Sequence, residues 1–106
     1  MLLEQKQNLT GKSILLVDDI PDNITLLKLA LKPERFIILE AVSGKEALEI
    51  ANKDQPDLIV LDIMMPGMDG IETCRKLKAN EATRNIPIIF ITGKTEREDI
   101  EEGFSA

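Results

Sequence analysis

Short apolar runs rich in β-branched residues alternate along the chain with longer stretches whose apolar residues recur at helical spacing, the pattern of a parallel sheet wrapped by helices. The first run covers residues 13–17 and is closed by Asp18 and Asp19. After Pro21, a favourable first-turn residue, Ile24, Leu27 and Leu31 mark a helix that Pro33 stops. A second run, residues 36–42, leads into Ser43-Gly-Lys-Glu46, a capping-box spacing that opens a helix carrying Ala47, Leu48 and Ala51. Pro56-Asp57 ends that helix. Residues 58–63 are apolar on both alternating faces except at Asp62, which predicts a central, buried strand. A loop at 64–70 follows, then a helix over 71–79 with Ile71, Cys74 and Leu77 facing inward. A fourth strand runs over 86–92, with Pro87 near its start where a missing donor is tolerable. A second capping box, Thr95 to Glu98, opens a helix that runs to the end of the chain.

The predicted order is β-α four times, an α/β doubly wound parallel sheet with a crevice at the carboxyl ends of its strands. Asp18 and Asp19 follow the first strand, Asp62 ends the third and Thr92 ends the fourth, so all project to one edge. Three carboxylates brought together repel, each pair by about 4 kcal/mol at ~4 Å for an effective dielectric near 20. A bound cation would relieve this, and hard oxygen ligands in small number suit magnesium. A strand-end carboxylate such as Asp62 could attack phosphorus and carry an acyl phosphate. Asp18-Asp19 fits equally the N-cap of the first helix. Thr92 fits an ordinary strand residue, Met64, Met65 and Met68 fit packing, Cys74 a small core residue and Asp57 a turn. Asp62 stands apart, because a charge inside an apolar strand is rarely left without a partner.

Length and composition narrow the chemistry. With 106 residues the chain makes one domain, residues 13–106, preceded by an arm of residues 1–12. Thirteen Lys plus Arg against 19 Asp plus Glu, a formal charge of −6, argue against nucleic acid and membrane surfaces as partners. No apolar run approaches the ~20 residues of a membrane helix. The lone Cys74 permits no internal disulfide and, with no histidine in the chain, no zinc cluster, which fits a cytoplasmic location. The absence of His also removes histidine acid/base catalysis. Gly-x-x-x-x-Gly-Lys-Ser/Thr, Gly-x-Gly-x-x-Gly and an EF-hand spacing around Asp69 are all missing.

Three spaced elements, Leu16-Val-Asp18-Asp19, Leu61-Asp62-Ile-Met64-Met-Pro66-Gly-Met-Asp-Gly70 and Phe90-Ile-Thr92-Gly, make residues 12–106 resemble the receiver domain of bacterial two-component response regulators. The run from Asp19 to Asn23 followed by Leu26-Leu27 further resembles receivers of hybrid kinases or of cyanobacterial and related regulators. The resemblance implies a flavodoxin-like fold with strand order 2-1-3-4-5. It implies that Asp62 accepts a phosphoryl group from the phosphohistidine of a sensor histidine kinase or phosphotransfer protein. Asp19 and Asp62 would ligate magnesium directly, Asp18 largely through water, and the Met64 carbonyl would complete the protein's share. Thr92 would be the switch residue, and Pro66 and Gly70 would shape the loop beneath the acceptor. Such a module is not an enzyme acting on a separate substrate, though it assists its own phosphorylation and dephosphorylation.

The family continues with a fifth strand, a lysine at its end and a fifth helix, whereas this sequence stops at Ala106, and Lys94 is a poor substitute for that lysine. The expectation is a receiver with the fifth unit missing and its fourth strand an open edge, prone to homo-oligomerise. Two rivals differ in class. A phosphatase of the haloacid-dehalogenase type wants a second Asp two residues after the nucleophile, where Met64 stands. A non-phosphorylated interaction module would keep the fold and associate through the exposed fourth strand.

Overall fold

The computed structural model describes residues 11–32 and 35–91. The greater part of the predicted arm, Pro33, Thr92 and the helix expected after Thr95 lie outside the described residues. The elements are β1 (Ser13–Val17), α1 (Pro21–Leu31), β2 (Ile37–Ala41), α2 (Gly44–Asp54), β3 (Leu58–Asp62), α3 (Gly70–Ala79) and β4 (Ile88–Ile91). The strands form one parallel sheet in the order β2-β1-β3-β4. The chain leaves β1 toward β2 on one side and returns across it to β3 on the other, so the switch in direction falls between β1 and β3. Crevices that bind ligands in open α/β sheets lie at such a point, outside the carboxyl ends of the strands.

The two-residue period of the strands divides the core. Leu15 and Val17 of β1 and Ile59 and Leu61 of β3 pack with Ala47 and Ala51 of α2 and Leu77 of α3. Ile14, Leu16 and Val60 face the other way and pack with Ile24 of α1, backed by Leu27, Leu31 and Phe36. Each large aliphatic buried in this way contributes about 1.5–3 kcal/mol, which holds β1 and β3 rigid at the centre. Their C-terminal residues are therefore firm places from which to hang a site.

Helix boundaries follow local chemistry with some departures from expectation. Ser43 caps α2, its Oγ accepting from Glu46 N–H at 3.1 Å, but the Glu46 carboxylate reaches back to the Val42 N–H rather than to that of Ser43. Gln55 ends α2 in the left-handed region at φ 48°, with its N–H donating to the Ala51 carbonyl, so termination precedes Pro56. On α3 the fully buried residues are Gly70, Thr73 and Leu77; Cys74 is half-buried and packs against the core as expected, while Ile71 is only half-buried, because Gly70 seats the first turn against the Asp62 backbone. Ile86 and Pro87 precede β4, although the Pro87 carbonyl already accepts from Ile59 N–H. β3 ends on Asp62, with Ile63 beyond it still bonded to the Ile91 carbonyl. Met65 is buried as expected of a packing residue, while Met64 is 42% exposed beside the carboxyl end of β3.

Candidate functional site

The apolar run of β1 gives out at Asp18, and the polypeptide turns at once. Asp18 Oδ1 accepts from the Ile20 N–H at 2.9 Å, an Asx-type turn that sets the entry to α1. Neither Asp18 nor Asp19 is the N-cap of that helix. The N-cap is Ile20, which offers no side-chain bond, and Pro21 follows at the first position where a donor is not needed. The capping alternative thus gives way to an arrangement in which Asp18 is turned toward the carboxyl end of β3.

Asp62 ends β3 in step with Leu58 and Val60 at the strand period, opposite Ile91 of β4. Its Oδ1 accepts from the Met64 N–H at 3.0 Å. Behind it, α3 begins so close that a Cβ on Gly70 would overlap the Asp62 carbonyl oxygen and the Ile63 Cα, while Gly70 N–H bonds to the Ile63 carbonyl. Only glycine allows this approach. Asp69 then caps α3, its Oδ1 accepting from Glu72 N–H at 2.8 Å, so the loop under Asp62 is tied at both ends.

The structure brings Asp18, Asp19 and Asp62 together, with one carboxylate oxygen from each lying within 4.8 Å of the others. Asp18 and Asp62 are 1% and 2% exposed. Burial pushes the Asp62 carboxyl up to about 6, the Met64 N–H pulls it back, and Asp18 and then Asp19 raise it again. Three acidic groups in so small a space with no cationic side chain bonded to any of them among the described residues form an electrostatically unfinished arrangement. One atom makes this concrete: Asp19 Oδ1 is buried and has no hydrogen-bond partner among the described residues. Buried polar atoms are nearly always satisfied, so an unpartnered oxygen on one of three clustered carboxylates fits a hard divalent cation, and magnesium suits this all-oxygen donor set. Asp19, Asp62 and, through water, Asp18, whose two oxygens are engaged, are the residues that could hold it.

Thr92 lies outside the described residues. Asn23, which the sequence marks only as the end of the run from Asp19, donates from its Nδ2 to Asp18 Oδ2 at 3.1 Å. The available signal was an amide five residues beyond a strand-end Asp, in the first turn of a helix where Asn has little intrinsic preference. Asp57 sits at the opposite end of the sheet, bonded to Ser13, and takes no part in the cluster.

The family model of the response regulator receiver domain matches residues 14–106. Over 93 residues the chain is 46% identical to the response regulator PleD of Caulobacter vibrioides, covering 88% of this chain and 20% of PleD, so it spans one fifth of that relative's length. It is similar to the crystal structure of the N-terminal domain of a response regulator receiver protein from Methanoculleus marisnigri, at 40% identity and a TM-score of 0.76, covering 88% of this chain and 76% of that one. It is also similar to the receiver domain of the sensor histidine kinase PA1611 from Pseudomonas aeruginosa, a crystal structure with a magnesium ion coordinated in the active-site cleft. That match has 31% identity and a TM-score of 0.80, over 92% of this chain and 80% of the other.

Proposed function

The chain belongs to the receiver-domain family of two-component response regulators, and from that premise we propose that Asp62 accepts a phosphoryl group from the phosphohistidine of a sensor histidine kinase or phosphotransfer protein. The observation that carries this reading is the meeting of three carboxylates, one of which, Asp19, has a buried Oδ1 with no partner among the described residues. An ionised Asp62 oxygen attacks phosphorus, a P–O bond forms as the P–N bond breaks, and the electron pair of that bond leaves with the donor imidazole, producing an acyl phosphate. Bound magnesium would neutralise charge on the phosphoryl oxygens and lower the repulsion the nucleophile meets. The chain's own residues do the positioning. Asp19 and Asp62 would be direct ligands, Asp18 would act through water, and the Met64 carbonyl would complete the set. The Met64 N–H favours the ionised form of Asp62 that attack requires. Gly70 lets α3 seat beneath the acceptor, and Thr92 is assigned the switch hydroxyl. The protein is a stoichiometric acceptor that assists its own phosphorylation and dephosphorylation, located in the cytoplasm where Cys74 stays reduced.

Incubation with a small phosphodonor and magnesium is expected to add one phosphoryl group, read by intact mass, and Asp62→Asn is expected to take none. Equal labelling of the variant overturns the assignment. A second reading, association of the chain through β4 without phosphorylation, is favoured by Ile89, 52% exposed on a strand that pairs only with β3 among the described residues. Light scattering over a concentration series tests it; a monomer throughout removes it.

A further inference from the structure

We propose that Asn23 is the positioning residue of the magnesium site, acting through Asp18; the assignment rests on the acceptor reading above. Residues 18–23 form a hydrogen-bonded unit. Asp18 Oδ1 accepts from the Ile20 N–H at 2.9 Å, Asp18 Oδ2 from Asn23 Nδ2 at 3.1 Å, and the Asn23 N–H donates to the Ile20 carbonyl at 3.0 Å. These three bonds close a frame around the first turn of α1, and Pro21 fixes its phase. Both Asp18 oxygens are thereby engaged while Asp19 Oδ1 is left without a partner among the described residues. The frame sorts two adjacent aspartates into different roles, an oriented carboxylate held at its place and a free one available to a cation. Asp18, 1% exposed, would otherwise be free to turn away from Asp62, since like charges gain by separating.

The chemistry of the side chain at position 23 matters as much as its place. A lysine or arginine there would pair with Asp18 and compete with the metal. A carboxylate would add to the repulsion and supply no donor. A neutral amide donates a hydrogen bond that orients Asp18 without cancelling its charge, which is what a partner behind a metal ligand does.

The test is a magnesium titration of the full chain followed by amide shifts and by calorimetry, in wild type, Asn23→Ala, Thr25→Ala, Asp18→Asn and the Asn23→Ala/Asp18→Asn pair. Asn23→Ala is expected to weaken magnesium binding about tenfold. Thr25→Ala removes a bond within the same helix, from Thr25 Oγ1 to the Pro21 carbonyl, and is expected to leave the affinity unchanged. In the Asp18→Asn background, Asn23→Ala is expected to change the affinity by less than about twofold, because its only route is through Asp18. Unchanged affinity in Asn23→Ala, an equal loss in Thr25→Ala, or an undiminished effect in the Asp18→Asn background each overturns the assignment. A wild-type chain that takes up no magnesium overturns the acceptor reading and this assignment with it; wild-type binding matched by Asn23→Ala overturns the assignment alone.

Discussion

At the amino ends of β1 and β3, Asp57 Oδ2 accepts from the Ser13 N–H at 2.8 Å and lies 3.4 Å from its hydroxyl, while the Asp57 N–H donates to the Ser13 carbonyl at 2.9 Å. At the carboxyl ends of the same two strands, Asp18 and Asp62 are buried together, Asp62 is pushed up to about 6, and Asp19 Oδ1 has no partner among the described residues. One residue type on one pair of strands is satisfied by neutral donors at one end and crowded by its own kind at the other. The difference separates scaffold from candidate site: a carboxylate that stitches strands together is complete as it stands, whereas the opposite cluster would be completed by a cation.

The largest test of this contrast is pH. In the folded protein the Asp62 carboxyl titrates near 6 against an ordinary 3.8, so the folded state holds its proton more tightly than the unfolded chain. Its contribution to stability is complete below about pH 4 and is lost as pH rises through about 6. By neutral pH the loss is on the order of 3 kcal/mol. Denaturant unfolding without divalent metal, compared between wild type and Asp62→Asn across this window, should show the variant gaining on wild type as pH rises; parallel curves would break the contrast.

Magnesium sharpens the same comparison from the other side. At neutral pH and ten times its dissociation constant, it is expected to raise the unfolding free energy by about 1.4 kcal/mol, and Asp19→Asn should abolish the gain. Thermal melts with and without the ion measure it. Below about pH 6 the proton on Asp62 competes, so the apparent affinity should fall there.

Asp57→Ala carries the smallest effect. Loss of its bonds to Ser13 near the surface is expected to destabilise by about 1 kcal/mol, with magnesium affinity unchanged. A shift in that affinity would mean that the two ends of the sheet are coupled.

Much of this architecture was legible along the chain. The apolar runs at Ser13 and Leu58, the Ser43 cap and the carboxylates after each central strand follow from local rules of burial, period and capping. Other features depend on neighbours distant in sequence. Whether Asp18 capped a helix or faced Asp62 depended on how β1 and β3 lie side by side. The inward turn of Thr73 in place of Ile71 came from Gly70 seating α3 against the Asp62 backbone.

Residue order by itself determined the alternation of strands and helices, the acidic ends of the strands and the family resemblance, because hydrophobic period, capping and motif spacing are local properties of the chain. Only the tertiary structure decided that three aspartates share one space, that Asp19 Oδ1 is left without a partner among the described residues, that Asn23 holds Asp18, and that Asp57 is structural. Satisfaction of a buried charge depends on distances between segments tens of residues apart, and parallel pairing of β1 with β3 is what fixes those distances.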